Sequence, residues 1–148
     1  MWLKNWGWLK DPALGADFEV AAAKAREHVE THNVIATETL QKPLVLEEFG
    51  LPRDHESYDP RSPTTARDDY YRRMFDQVAE SCHAGRALQG ANFWAWAGEG
   101  RASTTPGSTA ASFMGDPFCE PQGLNSVFDT DQSTLTVIAL ANEKLAKR

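Results

Sequence analysis

The run Lys42-Pro43-Leu44-Val45-Leu46-Glu47-Glu48-Phe49-Gly50 is an apolar strand that ends in two carboxylates and a glycine. Leu and Val bounded by Pro and Gly have the length and composition of a parallel strand buried on both faces, followed by a tight exit. Acids at the end of such a strand need a reason. Strand alternation puts Leu44, Leu46 and Glu48 on one face and Val45, Glu47 and Phe49 on the other, so the two acids take different roles. Phe49 suits the apolar layer between strands and helices. Glu47 is expected on that side, paired locally with Arg53, and Glu48 on the side facing the open end of the sheet.

The rest of the chain reads as alternating elements. Three of its five tryptophans fall in the first eight residues, Met1 to Trp8, with no polar leader before them, so the chain is expected to start in mid-fold. A helix follows, with Asp17 as its cap and Phe18, Ala22, Ala25 and Val29 as its apolar stripe, continuing through Ile35 to Leu40. After the strand at 43–49 and a turn-rich segment at 51–61, Ser62-Pro63 reads as the cap and first position of a second helix. That helix buries Tyr70, Tyr71, Met74, Phe75, Val78 and Cys82 and closes at Gly85. A second strand, Gly90 to Trp96, leads into a Gly-, Ser- and Thr-rich loop reaching about Asp131, and a last helix runs from Thr134 to Ala146 with Leu135, Ile138 and Leu145 on one side.

This order yields an α/β fold with parallel strands and right-handed crossovers. Units of roughly 45 residues match a (β/α)8 TIM barrel with enlarged loops, of which only three strand ends are present. A doubly wound sheet is the rival, but its Gly-rich phosphate turn after a first strand is missing.

Composition narrows the partners. With 148 residues, 41% of them apolar, the chain suits one domain with a real core. The net charge of −6, from 15 bases scattered among 21 acids, argues against nucleic acid, which needs clustered Lys and Arg. No run of about 18 apolar residues is present to span a membrane. Cys82 and Cys119 lack metal-ligand spacing and sit in different contexts, one helical and one in a loop; they read as free thiols, with a disulfide in an oxidising compartment as the alternative. His28, His32 and His83 fall on helices as surface residues, while His55, in the loop after the acid-bearing strand, is a candidate for touching a ligand. No His and carboxylate cluster supports a catalytic metal, and no cofactor motif occurs.

The aromatic context favours a sugar. Trp2, Trp6 and Trp8 follow one strand end and Trp94 and Trp96 lie at another, on the side where barrel enzymes keep their sites. A pyranose ring stacks its C–H face on indole, and its hydroxyls bond Asn, Glu and Trp N–H groups at the edges. Asn5, Asn92, Glu99, Arg101, Glu120, Gln122 and Asn125 are the candidates for those polar contacts.

Three motifs in order carry a family resemblance: Lys42 to Gly50; Asn92-Phe93-Trp94-Ala95-Trp96; and Glu120-Pro121-Gln122-Gly123-Leu124-Asn125-Ser126-Val127-Phe128-Asp129. Together they resemble bacterial endo-β-1,4-mannanases of glycoside hydrolase family 5. The resemblance implies that Glu48, in the Glu-Phe-Gly run of the seventh strand, is the nucleophile, and that Trp94, in the eighth, lines the subsite at the cleavage point. The sixth strand of the family ends in His-x-aromatic; Trp2 sits where the aromatic belongs, and the histidine would fall just before Met1. Trp6, Trp96, Asn92, Glu99 and Arg101 are assigned with Trp2 to substrate binding.

Family members pair that nucleophile with a second glutamate, in an Asn-Glu pair at the fourth strand, about 5 Å away. The only Asn-Glu here, Asn142-Glu143, is inside the final helix. Residues 1–148 are therefore expected to be the C-terminal part of the catalytic barrel, from the end of strand 6 to helix 8, with a nucleophile, no acid and no activity alone. Glu99 and Glu120 are weak substitutes for the acid. The partner implied is β-mannan or a related polysaccharide, and a secreted or periplasmic location is what the family implies. The alternatives are a noncatalytic piece that binds sugar, self-associates or assembles with a missing N-terminal half, and a parent that is a β-1,4-glucanase, because stacking tryptophans do not distinguish the C2 epimers.

Overall fold

The computed structural model describes residues 1–102, 113–117 and 120–147. Cys119 lies outside them, so its predicted pairing state does too.

A bend-rich segment at 1–15 leads into helix α1, Ala16–Val34, which runs on as one wider π-helical turn, Ile35–Leu40. Strand β1, Leu44–Phe49, follows, then a 3-10 turn, Asp54–Glu56, and helix α2, Thr65–His83. Strand β2, Leu88–Phe93, two short strands β3, Trp96–Gly98, and β4, Val127–Phe128, and helix α3, Gln132–Ala146, complete the described elements. β1 and β2 pair in parallel across the α2 crossover, and Trp2 makes a parallel bridge to Gly50 on the other side of β1. Three strand ends therefore lie side by side, Trp2, Gly50 and Phe93, separated by α1 and α2. The predicted alternation of parallel strands and helices is what the chain adopts.

The apolar stripes are the predicted ones. Phe18, Ala22, Ala25 and Val29 of α1 and Tyr70, Tyr71, Met74, Phe75 and Val78 of α2 are all buried, with Phe49 among them and Leu135, Ile138 and Leu145 of α3 packed against that core. The Phe49 ring meets those of Tyr70, Tyr71 and Phe75 edge to face, with centroids 5.9, 4.9 and 5.4 Å away. This is the quadrupole-favoured geometry. Asn33, wholly buried in α1, donates to Ser81 Oγ and accepts the Leu88 N–H at 2.9 Å, joining both helices to the start of β2.

Helix starts differ from expectation. α1 begins at Ala16 after Gly15, leaving Asp17 in the first turn, where its charge favours the N-terminal dipole without capping it. α2 begins at Thr65 rather than at Ser62-Pro63; the Pro63 carbonyl instead accepts the Asp54 N–H at 3.1 Å, and Asp54 Oδ1 accepts the Ala66 N–H at 3.0 Å. A carboxylate from the preceding turn thus supplies the cap.

The alternation expected along β1 also breaks. Leu44, Leu46 and Phe49 all pack against the core while Val45 is exposed, because the β1–β2 register shifts between Leu46 and Phe49. An extra residue in a ladder lets side chains three apart share a face. The predicted Glu47–Arg53 pair does not form: Arg53 donates to the Ser62 carbonyl and to Asp131. β2 ends at Phe93 rather than Trp96; the Trp94–Ala95 peptide is cis, and the chain resumes as β3, whose partner is β4.

Candidate active site

The ends of β1 and β2 and the bridge at Trp2 open onto a cleft of about 230 Å³. Glu48 and Trp94 reach it from β1 and the end of β2, and Trp2 and Asn5 from the N-terminal segment. Asp116, Pro117, Glu120 and Asn125 enclose it from the segment between β3 and β4. Glu48 is exposed to this opening while its neighbour Phe49 is fully buried, so the break in the strand register separates a solvent-facing acid from the core.

Gly50 is what lets the two tryptophans approach. A Cβ at this position would lie 2.8 Å from Trp2 Cζ3 and 2.8 Å from the Trp94 carbonyl oxygen. The Trp94 N–H donates to the Phe49 carbonyl at 2.8 Å, which fixes the residue against the strand that carries Glu48. Below it, the Tyr71 hydroxyl makes a long 3.5 Å contact to the Trp94 carbonyl; burial pushes the Tyr71 phenol well above its ordinary range, keeping it a neutral donor.

The enclosing segment is tied together from within. Gln122 is completely buried: its amide nitrogen donates to the carbonyls of Asp116, Pro117 and Glu120, and its oxygen accepts the Met114 N–H. Gln122 is thus a loop brace, not the sugar contact proposed from sequence. Asp116 is the residue that sequence reasoning missed. Its Oδ1 accepts the Trp94 indole N–H at 2.8 Å and its Oδ2 the Gly123 N–H at 2.6 Å. In the sequence it is one acid in a Gly-Asp-Pro turn, and no periodicity marks it. Near it, burial first and the carboxylates of Glu56 and Asp116 second raise the Tyr58 phenol above its usual range.

Of the expected binding residues, the cleft brings together Glu48, Trp2 and Trp94 with Asn5, Glu120 and Asn125. The others stand apart from its lining. Trp6, 44% exposed, packs edge-on against Trp8 and His28, with ring centroids 5.0 and 5.2 Å away. Trp96 is exposed above Gly98, and Asn92 and Glu99 are exposed without reaching the cleft. Arg101 pairs with Asp129 at 2.8 Å and lies over the Phe128 ring. His55 bonds Asp11 at 2.8 Å instead of facing the opening. A larger groove of about 450 Å³ between α2 and α3 carries no strand-end acid. No cluster of three or more His, Cys, Asp or Glu side chains suited to a metal occurs among the described residues, and no described helix is long and apolar enough to cross a membrane.

The parallel strands and helices coincide with the fold of solved proteins. The family model described as "GH family 5 beta-mannosidase-like" matches residues 1–148. The chain belongs to glycoside hydrolase family 5. Its fold is accordingly an α/β portion of the family's TIM barrel, with the parallel strands and helices seen here. The family 5 mannosidase from Rhizomucor miehei, solved as a glutamate-to-alanine variant, is 34% identical, with a TM-score of 0.83 over 99% of this chain and 36% of that one. A second glutamate-to-alanine variant of that enzyme, in complex with mannosyl-fructose, is also 34% identical, with a TM-score of 0.84 and the same coverage. A protein of Oryza sativa subsp. japonica, "Putative mannan endo-1,4-beta-mannosidase 9", is 32% identical over 93 residues, 63% of this chain and 22% of that protein. The chain thus spans little more than a third of the length of the solved relatives and about a fifth of the curated one.

Proposed function

We propose that residues 1–148 form the C-terminal part of a family 5 catalytic barrel, from the end of its sixth strand to its eighth helix, in an enzyme that hydrolyses internal β-1,4-mannosidic bonds of mannans with retention. Glu48 is the nucleophile. Its carboxylate attacks the anomeric carbon and forms a glycosyl ester while a second carboxyl group, about 5 Å away, protonates the departing glycosidic oxygen; water then cleaves the ester with that second group as base. The second glutamate comes from residues outside these 148, because the one Asn-Glu pair of the chain, Asn142-Glu143, lies in α3. Trp94 and Trp2 wall the subsite at the cleavage point by stacking on pyranose C–H faces, and Asn5, Glu120 and Asn125 bond hydroxyls.

The observation that carries this reading is the meeting of Glu48 with the two tryptophans at the ends of adjacent parallel strands, through a glycine that admits no side chain. The mannosyl ligand of the Rhizomucor miehei relative supports mannose over glucose at this cleft. In the full-length enzyme, Glu48→Gln is expected to abolish hydrolysis of mannan and to leave oligosaccharide binding in place. Undiminished turnover in that variant removes Glu48 as nucleophile. Cellulose cleaved in preference to mannan would replace the substrate assignment.

A second reading, in which the 148-residue chain is a noncatalytic piece that assembles with other chain, draws on its exposed Val45 and Leu140. Mannan hydrolysis by the chain alone would refute it.

A further inference from the structure

Trp94 is held by its edge. The indole N–H donates to Asp116, a carboxylate 6% exposed, whose other oxygen takes the Gly123 N–H and whose backbone carbonyl takes the Gln122 amide at 3.1 Å. A bond from a neutral donor to a buried carboxylate is among the stronger ones a side chain makes. The segment that carries Asp116 is closely packed: Gly123 has φ +75°, and a Cβ there would stand 3.1 Å from Ala102 Cα and from Phe128 Cζ. Apart from its bond to the ring, Asp116 is therefore held twice, at its carboxylate by the Gly123 N–H and at its backbone carbonyl by the Gln122 amide, and through it the ring is held.

We propose that Asp116 is a positioning residue for the glycosidase reaction, acting on substrate through Trp94. An indole turns about two side-chain torsions, and anchoring its nitrogen edge fixes both. The ring then presents its face to the cleft with its single donor already used. Trp94 consequently reads the apolar C–H face of a sugar and offers no hydrogen bond to its hydroxyls; the sequence-level expectation of an indole N–H contact does not apply at this residue. Hydroxyl recognition falls to the amide and carboxyl groups of Asn5, Glu120 and Asn125 on the same cleft. This inference rests on the reading of the cleft as a sugar site.

The test is a double-mutant cycle in the full-length enzyme with a β-1,4-mannooligosaccharide as substrate. Asp116→Ala is expected to raise KM about tenfold, the scale of one lost charge-assisted hydrogen bond. In a Trp94→Phe background, which has a ring face but no N–H to hold, the same substitution is expected to change KM by less than about twofold, since coupled residues do not add. Equal losses in both backgrounds overturn the proposal, because Asp116 would then act on sugar or loop without the indole. A second variant guards against misfolding. Asp116→Asn keeps an acceptor but not the charge, so the Trp94 Nε1–H resonance, assigned by its loss in Trp94→Phe, should move upfield; an unmoved resonance also overturns the proposal. If the wild-type enzyme turns over no β-mannoside, the functional reading fails while the resonance still decides whether Asp116 holds the ring.

Discussion

Arg67 places its guanidinium 2.6 Å from the Asp131 carboxylate, and neither side chain reaches solvent. Arg53 takes the other carboxylate oxygen, so one acid sits between two buried bases contributed by α2 and by the segment after β1. Arg67 also donates to the Ser126 carbonyl at 2.8 Å, beside the cleft residue Asn125, and the Phe128 N–H donates to Asp131 at 3.1 Å. The cluster therefore fixes the chain on either side of β4 against the helix that supports the floor of the cleft.

Asp131→Ala strands two guanidiniums out of water. Breaking a buried pair by removing one partner costs about 3–5 kcal/mol. Denaturant unfolding should show a loss of this size. A loss below about 1 kcal/mol, the range of exposed pairs, would mean that water reaches the cluster.

Gly50→Ala tests the junction of the two tryptophans. The added methyl would meet the Trp2 ring, which can swing, and the Trp94 carbonyl, which is backbone and cannot move without the strand end. Overpacking of this kind costs about 1–3 kcal/mol. The thermal midpoint should fall and oligosaccharide binding by the full-length enzyme should weaken; a variant with both at wild-type values would remove the glycine from the argument.

How far the sequence disclosed this arrangement depended on the length scale of each signal. Phe18 to Val29 and Tyr70 to Val78 recur at helical spacing, and their burial follows from that repeat. Glu48 is legible because a carboxylate is anomalous at the end of an apolar strand. Asp116 meets Trp94 across 22 residues, and Asn33 meets Leu88 across 55, so nothing local in either stretch announces the bond. The shift of register after Leu46 is a property of the β1–β2 pair, invisible in β1 alone. The tryptophans misled in a different way: a residue count cannot separate Trp94, held over the cleft, from Trp6, which packs on a histidine of α1.

That histidine has a pH signature. His28, exposed overall, lies beside Trp6, Trp8 and His32; partial desolvation against the indoles first, then the charge of His32, lowers its pKa from the ordinary 6.5. The unfolded chain then holds more protons between the folded value and about 6.5, so stability rises with pH across that window. The contribution is complete above about 6.5 and is lost as pH falls through the folded pKa. An NMR titration should place the His28 midpoint below that of a model peptide, and His28→Gln should flatten the pH dependence of unfolding. A midpoint at or above the peptide value contradicts the desolvation argument.

The 148-residue chain studied alone should self-associate. Val45 is 46% exposed on a strand whose outer side is bridged, among the described residues, only at Gly50, and Leu140 is 58% exposed on α3. Unpaired strand edges and exposed apolar side chains are the surfaces that bring chains together. Sedimentation over a range of concentrations should show species larger than 16.4 kDa. A lysine at an exposed edge position opposes pairing, so Val45→Lys should shift the distribution toward monomer without lowering the unfolding midpoint, since Val45 contributes little to the core. A wild-type chain that stays monomeric at every concentration would show that these surfaces are not adhesive, and the assembly reading would fall with it.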